Sequence, residues 1–221
     1  KAKKIAAHVL EVSAEDVIFK DGTFSVLGTD RHISWKDVAQ RAYQPLGIPS
    51  DMEPGLNERA VYVPTAPTFP NGCHCAEVEI DCETGRVELL RYTVVDDVGT
   101  VLNPLLLKGQ IHGGLVQGVG QILMEQVQYD PETGQPVTGS FMDYCMPRAA
   151  DLPFFSVRSK PVPTTVNPLG VKGAGEAGTV GAMPAVMNAI MNALGPLGIH
   201  DLNMPVTAER IWEALRNRSV T

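Results

Sequence analysis

The sequence predicts an α+β fold: mixed sheets of hairpins packed with helices. Two observations predict it. Paired β-rich runs flank tight-turn signals, once at Asp21-Gly22 and again across 81–86. Between and after them lie long stretches of helical length, 104–124 and 182–194, with no strand alternation.

The elements follow in order. "KAKKIAAHVLEV" reads as an amphipathic helix with Ile5, Val9 and Val12 on one side. No capping residue precedes it and residue 1 is not Met, so the chain reads as a piece of something longer. "DVIFKDGTFSV" is a hairpin. "RHISWKDVAQRAY" gives a short strand, then a helix capped at Ser34 with Asp37 three residues on. Residues 44–58 hold three prolines and two glycines, and a surface loop is expected. "ERAVYVPTAPTF" reads as extended chain whose prolines assign it to a sheet edge.

Residues 73–97 are two strands joined by "CETGR". Ala76, Val78 and Ile80 alternate with Glu77, Glu79 and Asp81, and the returning strand offers Val87, Leu89 and Tyr92 to Val95. One buried face is expected. Residues 104–124 then read as a helix with Pro104 in its first turn. Five glycines lie inside it, at about 1 kcal/mol each relative to alanine. Gly109/Gly113 and Gly114/Gly118 recur one turn apart, a groove for another backbone or a ligand. Gln110, Gln117 and Gln121 fall within about 40° of one another on a helical wheel. A buried helix whose stripe faces something polar is expected, or else a ladder bonding neighbouring loops. Residues 127–140 read as a hairpin through "DPETGQ", and 145–170 as proline-rich extended chain without periodicity. A helix over 182–194 has Pro184 in its first turn and Gly195-Pro196 after its end. The last helix opens at Thr207 with Ile211, Trp212 and Leu215 inward.

Composition excludes several classes. The chain has 221 residues, 44% of them hydrophobic, and a formal net charge of −7. The acidic balance argues against nucleic acid as a partner, because phosphate binding needs a basic face. The first twelve residues lack the apolar core of a signal peptide, and the cytoplasm is the expected compartment. No membrane span is expected, and the nearest candidate, 101–124, carries Lys108 and three glutamines. Cys73, Cys75, Cys82 and Cys145 are expected as reduced thiols. Cys73 and Cys75 share a strand face and read as buried small hydrophobes; no second close pair completes a zinc spacing, so no metal ligands are assigned.

The stretch "PLGVKGAGEAGTVGA", 168–182, holds one carboxylate, Glu176, among glycines. Glycine lets a backbone approach a ligand without a Cβ in the way. A helix N-terminus follows, whose free N–H groups favour anions. Yet G-A-G-E-A-G is not the dinucleotide fingerprint, and Lys172 precedes the glycines where a P-loop has it after them. Taken alone, the motif equally fits a tight turn with a solvent-facing acid.

The order of segments adds more. The "AEVEID" hairpin, "DVGTVLNPLLLKGQIHGG" and "NPLGVKGAGEAG" together resemble the molybdopterin-binding subunit of the xanthine dehydrogenase, aldehyde oxidase and aerobic carbon monoxide dehydrogenase family. The resemblance covers the whole chain, 1–221, as the second, C-terminal molybdopterin-binding domain of such a subunit.

The resemblance implies a molybdenum hydroxylase that oxidises an aldehyde, an N-heterocycle or carbon monoxide with water-derived oxygen. It implies molybdopterin carrying Mo, in bacterial members as the cytosine dinucleotide. Glu176 matches the family's G-x-G-Glu acid, the general base that takes a proton from Mo–OH; a dry pocket raising its pKa would suit the task. Gly109 and Gln110 match the family's Gly-Gln near the pterin, and Lys172, Gly173, Ala174 and Gly175 would offer backbone groups to the cofactor. The implied partners are the N-terminal remainder of the subunit, iron–sulfur and FAD subunits or domains, and a small-molecule substrate. The family's "GGGFG"-type loop, second glutamine and substrate-side loop have no counterpart in these residues. The chain by itself is therefore expected to be inactive, as a C-terminal domain or half of a split subunit. The competing reading is a scaffold of the same fold without catalysis.

Overall fold

The protein was analysed as a computed structural model, in which residues 1–217 are described. Two compact units divide it, Lys1–Val63 and the chain from Pro64 onward. In the first unit, helix α1 (Ala2–Val9) is followed by strands β1 (Val17–Lys20), β2 (Thr23–Val26) and β3 (His32–Ser34), then helix α2 (Trp35–Ala42). The strands form an antiparallel sheet in that order. The β1–β2 turn places Asp21 and Gly22 both at positive φ, the conformation that makes Asp-Gly a hairpin signal. Ser34 caps α2 by accepting the Asp37 N–H at 3.1 Å, as its spacing predicts. The face α1 buries is Ile5, Ala6 and Ala7, whereas Val9 and Val12 are only partly buried. Residues 44–58 form no regular strand or helix, and Ile48 within them joins this unit's core.

The second unit carries the candidate site. Its sheet has the order β4 (Asn71–Ile80), β5 (Val87–Asp97), β6 (Phe155–Ser159). β4 and β5 pair antiparallel; β5 and β6 pair parallel. Helices α3 (Pro104–Leu123), α4 (Ala177–Leu194) and α5 (Ala208–Asn217) complete it. α4 packs on both α3 and β4. Leu89, Tyr92 and Val94 of β5 meet Leu115, Val119 and Ile122 of α3, Val186 and Ile190 of α4, and Ile211 of α5 in one core.

Several expectations are corrected. Residues 59–70 form no strand: with three prolines, this stretch cannot supply a full row of ladder donors. Residues 127–140 form a turn with a single bridge, Tyr129 to Pro136; the ladder stops at the next pair, where the Gln128 N–H donates to Thr138 Oγ1 and not to the Val137 carbonyl. The proline-rich 145–170 stretch contains β6, whose partner is distant in sequence and therefore left no local signal. Val95 does not continue the buried face. A bulge between Glu77 and Val78 pairs Leu89 with Val78 but Arg91 with Glu77, so parity flips at Leu90 and the inward residues become Tyr92, Val94 and Asp96. All four cysteines are exposed; Cys73 and Cys75 share the face of Glu77, opposite the one that Ala76, Val78 and Ile80 turn to the core. Trp212 lies 37% exposed at the margin of α5 while Ile211 and Leu215 go inward.

α4 starts at Ala177, earlier than the expected 182, so Pro184 sits inside the helix. Its ring removes one helical hydrogen bond, but small residues at 178, 181 and 182 let the helix pack closely, and tertiary packing supplies most helix stability. Among the described residues, the segment long and apolar enough to cross a membrane is Ala177–Leu197, not 101–124. Gly178, Ala182, Val186, Ile190 and Leu194 on it are buried among α3, β4 and β5.

Candidate cofactor and active site

The site is built where the end of β5, the loop before α4 and the two glycine-bearing helices meet. Residues 167–172 are tied down group by group. Asn167 donates its side-chain amide to the Val171 carbonyl at 2.9 Å and accepts the Val171 N–H at 3.1 Å. The Gly170 N–H reaches the Asn167 carbonyl at 3.1 Å, and the Gly170 carbonyl accepts from Thr100 at 2.9 Å. Gly99 and Gly170 both have positive φ, and a Cβ on Gly99 would overlap the Gly170 carbonyl. Only glycine satisfies both demands.

Asp97 is the hub. One of its oxygens accepts the Gly99 N–H at 2.8 Å and the Val162 N–H at 2.9 Å. The other meets Lys172 Nζ at 2.5 Å, with both side chains largely buried. The Lys172 ammonium, then the two N–H donors, hold the Asp97 carboxyl down to about 2. The Lys172 N–H donates to the Val98 carbonyl at 2.9 Å. Lys172 was expected to offer that N–H to a cofactor; the strand-like pairing of Gly99 with Val171 has already used it.

Immediately beyond, the pattern reverses. From Gly173 to Thr179 no backbone N–H donates to any described residue. Gly173 and Gly175 have open space where a Cβ would stand. Glu176 is the N-cap of α4 and its carbonyl accepts the Val180 N–H at 3.0 Å, yet its carboxylate makes no capping bond and no other hydrogen bond or ion pair with a described residue. It is exposed. The dry pocket expected around it is not built by these residues alone.

α3 crosses this corner, and its glycines divide into two sets. Gly114 and Gly118 take another backbone: a Cβ on Gly114 would stand 2.9 Å from Thr179 N, and one on Gly118 2.7 Å from the Ala182 Cβ. A Cβ on Gly178 would stand 2.6 Å from the Ile111 carbonyl, so Ile111, the residue after Gln110, abuts the second residue after Glu176. Gly109 and Gly113 have nothing within 4 Å. The glutamine stripe is exposed, where a buried helix was expected. Gln117 accepts from Thr179 Oγ1 at 3.0 Å, which ties α3 to the first turn of α4. Gln110 and Gln121 make no side-chain hydrogen bond with a described residue. Lys172, Gly173, Ala174, Gly175 and Glu176 are thus contiguous on one ledge, and the Gly109-Gln110 end of α3 lies toward it.

Sequence reasoning missed four residues: Asn167 and Asp97, which shape the ledge, and His74 and Asp96 beneath it. The adjacent acids closing an apolar strand in "VVDD" were the available signal.

A glycine-bearing helix packed against the start of α4, beside a run of backbone amides without partners among the described residues, leaves a donor-rich surface of the class that can receive a polar ligand. Comparison with known proteins names it: the chain belongs to the molybdopterin cofactor-binding domain family, whose model matches residues 1–153. It is 36% identical to the carbon monoxide dehydrogenase large chain of Hydrogenophaga pseudoflava over 100% of this chain and 27% of that protein. It is 38% identical to the nicotine 6-hydroxylase large subunit of Paenarthrobacter nicotinovorans, over 98% of this chain and 27% of that protein. The crystal structure of quinoline 2-oxidoreductase from Pseudomonas putida 86 superposes with a TM-score of 0.88 at 35% identity, covering 99% of this chain and 28% of that one. The α+β fold is thus that of known molybdopterin-binding subunits. The chain spans about a quarter of the length of the relatives it matches.

Proposed function

We propose that this chain is the C-terminal part of the molybdopterin-binding subunit of a molybdenum hydroxylase, with Glu176 as its general base. The observation that carries the proposal is the unspent carboxylate of Glu176 on a run of free amides over a rigid support. A short acid such as Asp at a helix N-cap accepts from the first-turn N–H groups, whereas the longer Glu side chain can reach past them. Here the Glu176 carboxylate accepts none of them, so both the acid and the amides remain available to a ligand.

The residues fit the cofactor. Gly173, Ala174 and Gly175 would donate backbone N–H groups to the oxygen-rich parts of molybdopterin, in the cytosine dinucleotide form. The open face at Gly109 admits it, and the Gln110 amide would donate to it. Lys172 supports this from behind, through its bond to Asp97. When bound, the cofactor supplies a redox-active metal that takes up the electrons of substrate oxidation. Glu176 accepts a proton at its carboxylate as water-derived oxygen is transferred to an aldehyde, an N-heterocycle or carbon monoxide. The remainder of the subunit would close the site and exclude water, which the exposed Glu176 requires. Iron–sulfur and FAD partners would carry electrons away, and the complete enzyme is assigned to the cytoplasm.

The test is Glu176→Gln in the complete enzyme. Molybdenum content should stay unchanged while kcat falls by about a thousandfold or more, at the upper end of what a lost general base costs. Retained turnover would remove the general-base role.

A further inference from the structure

β5 ends in two consecutive acids, and consecutive strand residues face opposite ways. Asp97 reaches the loop and holds Lys172, four residues before Glu176. Asp96 points to the other face and is 2% exposed. There its Oδ1 lies 3.3 Å from His74 Nε2, and the other ring nitrogen, Nδ1, is 2.8 Å from the Tyr92 hydroxyl. The His74 ring in turn occupies the place where a Cβ on Gly181 of α4 would stand. Gly181 is five residues past Glu176, about 7.5 Å along the helix.

Two glycines make room for this cluster. A Cβ on Gly72 would overlap the Asp96 carboxylate, as one on Gly181 would overlap His74. Burial, then the charge of Asp96, pushes the Tyr92 hydroxyl above its ordinary value, so it stays a proton donor. The Oδ2 atom of Asp96 is buried with no partner among the described residues. A buried carboxylate that is only half satisfied costs stability, and apolar residues of the same volume would serve a core better. Stability alone does not account for it.

We infer that Asp96 and Asp97 are positioning residues that clamp the Glu176 turn from both sides. Asp97 fixes the approach through Lys172. Asp96 fixes the departure through His74, whose ring bears on Gly181. The pair sets where the Glu176 carboxylate stands without touching substrate or cofactor. The role of the clamp in turnover rests on the reading of Glu176 as the base.

Gly181→Ala in the complete enzyme tests it, read by kinetics, by molybdenum content and by hydrogen exchange of the two bonded amides that flank the turn, Lys172 and Val180. Misplacing a catalytic group by about 1 Å costs on the order of a hundredfold. The expected result is a kcat lowered about 10–100-fold with KM and molybdenum content near wild type, and faster exchange at Val180, whose N–H donates to the Glu176 carbonyl. In a His74→Ala background the same Gly181→Ala change should have little further effect on either kcat or exchange, because the ring it collides with is gone. Equal effects in both backgrounds, or unchanged exchange in Gly181→Ala, overturns the clamp. If Gly181→Ala does not fold, Asp97→Asn keeps the shape and loses the charge. Faster exchange at Lys172, whose N–H donates to the Val98 carbonyl, supports the clamp in that variant, and unchanged exchange there overturns it. Glu176→Gln separates the two ideas: if it stays active the general-base reading falls, whereas the exchange measurements still decide the clamp.

Discussion

Two consecutive segments, 167–172 and 173–179, are both loop-like and glycine-bearing, and the fold treats them oppositely. In the first, Asn167, Gly170, Val171 and Lys172 all bond to partners, and Asp97 fixes the lysine side chain. In the second, seven successive N–H groups have no partner among the described residues, and the Glu176 side chain caps nothing. Backbone donors are rarely left unpaired when buried, so a free run belongs at a surface open to water or to a ligand. The contrast teaches how a site can be rigid and open at once. One segment is bonded at Asn167, Gly170, Val171 and Lys172, and its neighbour keeps its donors free beside it.

The largest expected effect comes from separating the ledge from the rest of the subunit. On the proposed function the 221-residue chain would supply only one wall of the cofactor site, so elemental analysis of it alone should read near zero molybdenum, against a stoichiometric value for the complete enzyme. A stoichiometric value in the chain alone would show that the free amides suffice.

Gly99→Ala breaks the committed segment. Its φ is +66°, and a Cβ there meets the Gly170 carbonyl. Strain of about 1–3 kcal/mol from the backbone adds to the collision, and thermal unfolding should show a large drop in the midpoint. Gly173→Val strikes the uncommitted segment instead. A Cβ at 173 meets nothing within 4 Å, so stability should change by about 0.5 kcal/mol or less. Molybdenum content should nevertheless fall, because the side chain stands where the cofactor would lie. A large loss of stability with full cofactor content would reverse the assignment of the two segments.

The smallest effect is electrostatic. The Asp97 carboxyl is depressed to about 2, below the ordinary value near 4. A depressed acid stabilises the fold fully above its unfolded value, and that contribution is lost as pH falls through about 2. The difference in unfolding midpoint between wild type and Asp97→Asn should therefore narrow as the pH drops from about 4 toward 2, and stay constant above that window. A gap that widens on acidification would contradict the Asp97–Lys172 bond.

What was legible in the sequence was local. The Asp21-Gly22 hairpin, the Ser34 cap, the start of α3 at Pro104 and the hairpin of 71–97 each depend on residues a few positions apart. The acid at 176, the glycine pairs and the glutamine stripe were also visible, because spacing along one helix or turn decides them. Three kinds of feature were not. β6 pairs in parallel with a strand more than fifty residues earlier, and its sequence carries no alternation of its own. One bulge at Leu90 reversed which residues of β5 face inward, which period-two reasoning cannot foresee. The start of α4 was hidden by Pro184, a helix breaker that close packing overrides.

The sequence by itself thus determined the inventory: the strands and helices with local signatures, the glycine sets and the single acid of the turn. Only the tertiary structure decided the use made of them. It assigned Gly114 and Gly118 to a helix crossing and left Gly109 and Gly113 open, because only one face of α3 meets α4. It committed the Lys172 N–H to Val98 and its ammonium to Asp97. It buried Asp96 against His74, whose ring lies against Gly181 of α4. Hydrogen bonds and close contacts between residues far apart in the chain make those choices, and a sequence read along its length does not show which pairs will meet.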